Sequence, residues 1–190
     1  MSERDQYHRR VLYLIACGSS SAIEMVEPGV RAAQIVGWDV CVITTPMGRQ
    51  FLNMPCLAHL TGHPVRSEYK QWDFPDVLPR ADAILVYPAS FRTINNWAAG
   101  NSDTAAVGLL CEYLGLGMPI VAVPCLRTGS GLDTHPIFRE NIRRLNEWGA
   151  RVLYDPVRWG LRNQVPIEVA LQEVDHLLSA KGVTEKQPDA

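Results

Sequence analysis

The chain has 190 residues, 47% of them apolar and 20% charged, with 18 Lys+Arg against 20 Asp+Glu. That length favours one domain with a sizeable core, and the composition is too apolar, at a net charge of only −2, for a disordered chain. The near-neutral balance argues against a nucleic-acid binder, which carries a basic excess. The five cysteines (Cys17, Cys41, Cys56, Cys111, Cys125) include no C-x-x-C pair, so neither a disulfide framework nor a zinc site is read from them. The opening MSERDQYHRR contains no apolar signal segment, and no run approaches the roughly 18 apolar residues of a membrane helix. The expected setting is reduced and cytoplasmic, with neither membrane nor nucleic acid as partner.

Residues 11–17 (VLYLIAC) form an apolar run of strand length, closed by Gly18 and three serines. A helix is predicted over 20–35, a second strand over 40–44 (VCVIT) and a helix over 48–60. A third strand follows over 83–87 (AILVY), then one long helix over 93–114 and a fourth strand over 120–123 (IVAV). A helix over 136–148 ends at Gly149, and a short fifth strand covers 151–154. A closing amphipathic helix is predicted over 165–178 with Pro166 in its first turn, giving one domain over 1–182 and a polar tail over 183–190. Strands this apolar are covered on both faces. The alternation therefore predicts an α/β fold: a doubly wound parallel sheet in three α/β/α layers, Rossmann-like, with right-handed crossovers. Such folds bind ligands beyond the carboxyl ends of their strands, which selects segments 18–21, 44–48, 88–93 and 124–131.

Gly18-Ser19-Ser20-Ser21 opens a helix directly after a strand. Backbone N–H groups and hydroxyls there make a phosphate cradle, and equally a plain serine N-cap. The loop is neither a Walker loop nor a G-x-G-x-x-G fingerprint. Thr44-Thr45-Pro46 either adds a hydroxyl to the same anion or only turns the chain. Pro88-Ala89-Ser90 exposes N–H groups and a hydroxyl at the sheet edge, and Ala98, Ala99 and Gly100 allow close helix packing.

The segment PASFRTINNWAAGNSD, residues 88–103, resembles the Pro-Ala-Ser-Ala-Asn-Thr signature of the homo-oligomeric flavin-containing cysteine decarboxylases. That family includes phosphopantothenoylcysteine decarboxylases and lantibiotic peptidyl-cysteine decarboxylases. Pro88, Ala89, Ser90 and Thr93 match, then Asn95, Ala98, Gly100 and Asp103; Gly18-Ser19-Ser20 and Thr45-Pro46 stand where the family has its hydroxyl-bearing loops. The resemblance spans residues 10–155. It implies a flavoprotein with FMN bound at a subunit interface of a trimer or a multiple of trimers. By position, Gly18, Ser19, Ser20 and Thr45 would hold the phosphate and ribityl end, and Ser90, Phe91, Arg92 and Thr93 would lie along the ring system. Cys125, in Val-Pro-Cys-Leu, falls where the family has the alanine of its Pro-Ala-Met-Asn clamp.

The sequence departs from the family at several points. Arg92 replaces the signature Asn, Leu126-Arg127 replaces the clamp's Met-Asn, and residues 154–166 lack the Cys that phosphopantothenoylcysteine enzymes carry in a flap. The family's catalytic His falls on Phe74 by counting back from Pro88, or on Ser67 if GHPVRS is aligned with Gly-x-Pro-Val-x-His. His63 is the candidate replacement base, against the plain reading of a surface residue. Arg92 and Arg127 are candidates to hold a substrate carboxylate, against that of solvated charges, and Trp97 reads as packing. The activity implied is FMN-dependent oxidation of a small thiol or a peptide's C-terminal cysteine, followed by loss of carbon dioxide to give an enethiol. The alternative is a flavoprotein that does not decarboxylate, such as a flavin reductase or a flavin-prenylating relative.

Overall fold

The computed structural model describes residues 9–69 and 77–184. Five strands, β1 (Val11–Ala16), β2 (Asp39–Thr44), β3 (Ala83–Ala89), β4 (Ile120–Pro124) and β5 (Arg151–Val152), make one parallel sheet in the order β2-β1-β3-β4-β5. Every residue of β1, β3 and β4 is buried. Alternation divides β1 between two cores: Val11, Tyr13 and Ile15 face one, Leu12, Leu14 and Ala16 the other. Each fully buried Leu or Ile contributes about 1.5–3 kcal/mol relative to exposure, which is why both faces must be covered.

Helices α1 (Ala22–Ile35), α2 (Met54–Thr61) and α7 (Ile167–Thr184) cover one face through Val26, Val30, Leu57, Ala170 and Val174. Helices α3 (Phe91–Ala98), α4 (Ala105–Gly115) and α5 (Pro136–Glu147) cover the other through Ile94, Trp97, Leu110, Phe138 and Leu145. The expected three-layer, doubly wound parallel architecture is therefore observed.

Four expectations need correction. The long helix over 93–114 is two helices, because Gly100 takes a φ of +68° and Thr104 caps a new start by accepting from the Val107 N–H. Trp97 then joins the two, its Nε1 donating to the Leu110 carbonyl at 3.1 Å. The helix over 48–60 is a 3₁₀ turn (Gly48–Phe51) followed by α2, whose start is set by the Asn53 cap and by Pro55 in the first turn. β5 ends at Val152, and a short helix, α6 (Pro156–Trp159), follows an Asp155 cap. Helix α7 covers Ile167–Thr184, so the closing helix ends six residues beyond the predicted 165–178.

Beyond β5 the chain folds back over the end of β4, and Asn163 holds it there. This residue is fully buried and sits at φ +52°, a conformation Asn tolerates better than other side chains. Its Nδ2 donates to the carbonyls of Pro124 and Leu153, both at 2.8 Å, and its Oδ1 accepts from the Asp155 N–H at 2.8 Å. Asn163→Ala strands those three groups and places alanine at positive φ. The expected loss is about 2–4 kcal/mol in urea unfolding; an unchanged midpoint overturns this role.

Candidate functional site

The chain leaves β1 for β2 on one side and returns to β3 on the other, so the carboxyl ends of β1 and β3 part and leave a crevice. A cavity of about 710 Å³ opens there, within the range of small-molecule sites. It is lined by the segments that follow the first four strands: Gly18 and Ser19, Thr45 to Met47, Ser90 to Thr93, and Cys125 with Leu126.

Two glycines let those segments converge. A Cβ on Gly18 would stand 2.8 Å from the Met47 Cβ, and one on Gly48 would collide with Thr44 Oγ1 and lie 2.6 Å from the Ala16 carbonyl oxygen. Ser19 Oγ accepts from the Ser21 N–H at 3.3 Å, and Thr45 Oγ1 accepts from the Gly48 N–H at 3.1 Å. Each hydroxyl keeps its own proton to donate. Ser90 caps α3 by accepting from the Thr93 N–H at 3.2 Å, with the two hydroxyl oxygens 2.9 Å apart. Beside these polar groups the lining includes the apolar side chains of Met47, Phe91, Val107, Leu126 and Leu132.

Two thiols sit beneath the cavity floor and at its edge. Burial pushes the Cys17 thiol up to about 11, against contacts with Thr93 and Ser90 that pull it down. Burial, with a smaller contribution from Cys17, pushes the Cys125 thiol up to about 12. Cys125 Sγ lies 3.6 Å from Met25 Sδ and is held as a neutral thiol rather than a nucleophile.

One ion pair stands in the cavity. Arg92 Nη2 donates to Asp103 Oδ2 at 2.6 Å, and Asn96 Nδ2 donates to the same oxygen at 2.9 Å. Burial raises the Asp103 carboxyl, but the bonds from Arg92 and Asn96 and the charge of Arg92 outweigh it, leaving the group below its ordinary value. The Tyr69 hydroxyl braces the loop from outside, 3.2 Å from the Ser102 carbonyl oxygen and 3.1 Å from that of Thr104. Gly108 makes room for it, since a Cβ there would overlap the phenol oxygen.

Of the residues selected from sequence, Gly18, Ser19, Thr45, Ser90, Phe91, Arg92, Thr93 and Cys125 come together on this cavity. Ser20 does not line it and is exposed in the turn before α1. Arg127 is likewise exposed and off the wall. His63 also stays away: its Nε2 lies 2.8 Å from Asp39 Oδ1, and Asp39 begins β2 at the opposite edge of the sheet. The reason is a parallel bridge between Ile43 and Arg66, which runs the 63–66 segment alongside β2 and leaves His63 at its amino end. Ser67 does not line the cavity, and Phe74 lies outside the described residues. His135 caps α5 and packs its ring 5.7 Å from Phe91. Sequence reasoning gave no role to Met47, Asn96, Thr104, Val107 or Leu132, all on the wall. Asn96 had a signal, one helical turn after Arg92; the others came to the wall through turns.

A family model described as Flavoprotein matches residues 1–180. The chain belongs to the flavoprotein family. Among curated relatives of this flavoprotein is the coenzyme A biosynthesis bifunctional protein CoaBC of Thermococcus kodakarensis. It is 25% identical over 177 residues, which make up 90% of this chain and 42% of the relative. The chain thus spans less than half the length of that relative. The probable phosphopantothenoylcysteine decarboxylase of Streptococcus mutans is 27% identical over 144 residues, covering 73% of this chain and 78% of that one. Among solved structures, the FMN-dependent cysteine decarboxylase TvaF from thioviridamide biosynthesis superposes with a TM-score of 0.67 at 21% identity. The match covers 87% of this chain and 98% of TvaF, and at that identity it is a likeness of fold.

The cavity fits a flavin on its own terms. Gly18 lets the first loop close against Met47 where a Cβ would clash, the hydroxyls of Ser19 and Thr45 stand beside it, and the apolar side chains of the lining suit a flat ring system. Among the described residues there is no group of His, Cys, Asp and Glu suited to a metal, and no helix is long and apolar enough to cross a membrane.

Because both thiols remain protonated well above neutrality, Cys17 and Cys125 should resist iodoacetamide at pH 8 in the folded protein and react only after unfolding. Half-buried Cys56 should label first. Peptide mass spectrometry reads the order, and native-state labelling of Cys125 overturns it.

Proposed function

We propose that this flavoprotein is an FMN-dependent enzyme that oxidatively decarboxylates a cysteine-type carboxylate, at a peptide C-terminus or on a small thiol, to an enethiol. The observation that carries the reading is the cavity at the switch point, whose lining combines the glycine-cradled hydroxyls of Ser19 and Thr45 with apolar side chains. The names of the relatives point the same way: one is a probable phosphopantothenoylcysteine decarboxylase, and the similar solved fold is described as FMN-dependent. When bound, FMN supplies a two-electron acceptor for the thiol-bearing carbon, after which the oxidised substrate sheds carbon dioxide.

On this reading Gly18, Ser19 and Thr45 bind the phosphate end, with Ser20 reaching it only through its backbone turn. Ser90 and Thr93 present hydroxyls along the ring, and Phe91 and Leu126 exclude water from it. Cys125, kept neutral, acts as a small wall residue beside the ring. The assembly proposed is a homo-oligomer built from trimers. In it a second copy covers Met47 and Leu132, which stand 53% and 44% exposed at the cavity.

One observation favours a second reading, a flavoprotein that does not decarboxylate: among the described residues lining the cavity there is no histidine. The two readings separate in one experiment. The purified protein is first checked for a flavin absorbance band, then mixed with a peptide ending in cysteine. Decarboxylation removes carbon dioxide and two hydrogens from the peptide mass. An unchanged mass with FMN bound overturns the first reading, and rapid flavin reduction by a nicotinamide cofactor then identifies a reductase.

Gly18→Val tests the cradle. Its side chain must push Met47 aside, so FMN retention should fall about tenfold or more while the circular dichroism spectrum stays that of the parent. Equal retention removes Gly18 from the site.

A further inference from the structure

A second cavity, of about 640 Å³, lies beside β5, the edge strand of the sheet, and is bounded by residues of α5, α6 and α7. It shares no lining residue with the cavity at the switch point. Two arginines and a histidine enter it from three different elements: Arg151 from β5, Arg158 from α6 and His176 from α7. Leu153, Trp159 and Val169 give it apolar surface.

The acids in this lining already have partners. Asp155 Oδ1 accepts from the N–H groups of Val157 and Arg158, both at 3.1 Å. Glu173 Oε2 lies 3.3 Å from Arg151 Nε, and its Oε1 faces His176 Nδ1 at 3.9 Å. The donors are less fully used. Among the described residues Arg158 has no carboxylate at ion-pair distance, and its guanidinium lies over the Trp159 ring, 4.2 Å from the centroid. Stacking fixes the guanidinium plane and leaves its N–H groups pointing sideways within that plane. Asn146 spends its Oδ1 on the Val152 N–H at 2.9 Å, so what it has left to offer is the Nδ2 donor. The same bond caps the edge of a strand only two residues long, so the groove suits a small molecule better than an added peptide strand.

A lining whose acceptors are engaged and whose donors are open calls for a ligand that brings acceptors. A guanidinium answers best to a carboxylate or a phosphate, which take up its fork of N–H groups with charge assistance. The ion pair of Arg151 with Glu173 is half exposed on the arginine side, and pairs of that kind are weak enough to share their donors with an incoming anion. We propose that the groove beside β5 binds a small organic anion, a carboxylate or phosphate head on an apolar body, with Arg158 as its main anchor and Arg151 and Asn146 completing the head site.

The test uses the full chain, loaded with FMN and freed of the excess, at physiological ionic strength. Phenylacetate, phenyl phosphate and neutral phenylacetamide are titrated by calorimetry. At least one anion should bind about tenfold or more tightly than phenylacetamide, and the tighter of the two names the head. Arg158→Gln should bring that anion down to the level of phenylacetamide, and Arg158→Lys, which keeps the charge without the fork, should fall between. Glu173→Gln acts in the opposite direction: with the competing carboxylate gone from Arg151, the anion should tighten several-fold. Glu27→Gln, an equal change of charge on α1, should leave it unchanged, as should Gly18→Val in the other cavity. Circular dichroism monitors folding, and Arg158→Lys carries the test if Arg158→Gln does not fold. Equal affinity for the three probes, absence of binding, weaker binding in Glu173→Gln, or an anion lost in Gly18→Val but kept in Arg158→Gln overturns the site.

Discussion

The carbonyl oxygen of Ala16 is the interaction on which the site depends. It closes β1, and it accepts from the Thr45 N–H at 3.1 Å with Thr44 Oγ1 3.0 Å away. One residue further, the Cys17 N–H donates to the Pro88 carbonyl at 3.0 Å, and the Cys125 N–H donates to that of Ala89 at 3.0 Å. The first four strands are thus stitched together just past the end of their regular pairing. Backbone groups here have no water to turn to, so each must find such a partner or bear the cost of desolvation. The stitching leaves a floor of fixed backbone from which the loops lift away, and the cavity is the space above it. Gly48 exists to permit the contact, since any Cβ would sit against both Thr44 Oγ1 and the Ala16 oxygen.

The far side of the floor is secured differently. Where β1 and β2 rely on glycine and a threonine hydroxyl, the end of β4 is tied by the Asn163 side chain, which holds the returning loop to Pro124. Cys125 lies between these anchors, with the Asn163 carbonyl oxygen 3.8 Å from its sulfur. The thiol is therefore buried by the same contacts that position the loop, and its high pKa follows from architecture. Fixed backbone on both sides suits a ligand whose shape does not change, leaving the exposed rim at Met47, Leu132 and Arg92 as the part free to respond.

Much of this was legible in the amino-acid sequence because two-sided burial leaves an unmistakable mark. The apolar runs at 11–17, 40–44, 83–87 and 120–123 place four strands, their alternation with helices implies the parallel sheet, and the rule for strand ends leads to the four cavity segments. What escaped was decided by backbone conformation or by distant pairing. The side chains from 93 to 114 keep a helical pattern through Gly100, and only its positive φ breaks the helix. Asn163 looks like any loop asparagine until its φ and its three partners are known. His63 lies close in sequence to the position where the family has its His. The bridge between Ile43 and Arg66, a pairing across 22 intervening residues that no local pattern announces, carries it to the wrong edge of the sheet.

The net charge of −2 led to a second lesson of this kind. Arg92 and Arg127 in the segments after β3 and β4 suggested a cationic site hidden in a near-neutral chain. Arg127 points away into solvent, and Arg92 arrives already matched by Asp103 from a loop 11 residues on. The pairing depends on the break at Gly100: in a continuous helix, residues 92 and 103 stand about three turns apart, some 16 Å along the axis. The same kink that defeats a sequence-based helix thus folds Asp103 back onto Arg92 and converts a would-be anion trap into a neutral pair of opposite charges. A neutral pair does little for an anion, so on the proposed reading a phosphate would rest on the hydroxyls of Ser19 and Thr45 and on backbone dipoles. The cavity wall therefore carries uncharged donors in the loops after β1 and β2 and one matched pair of charges beyond β3.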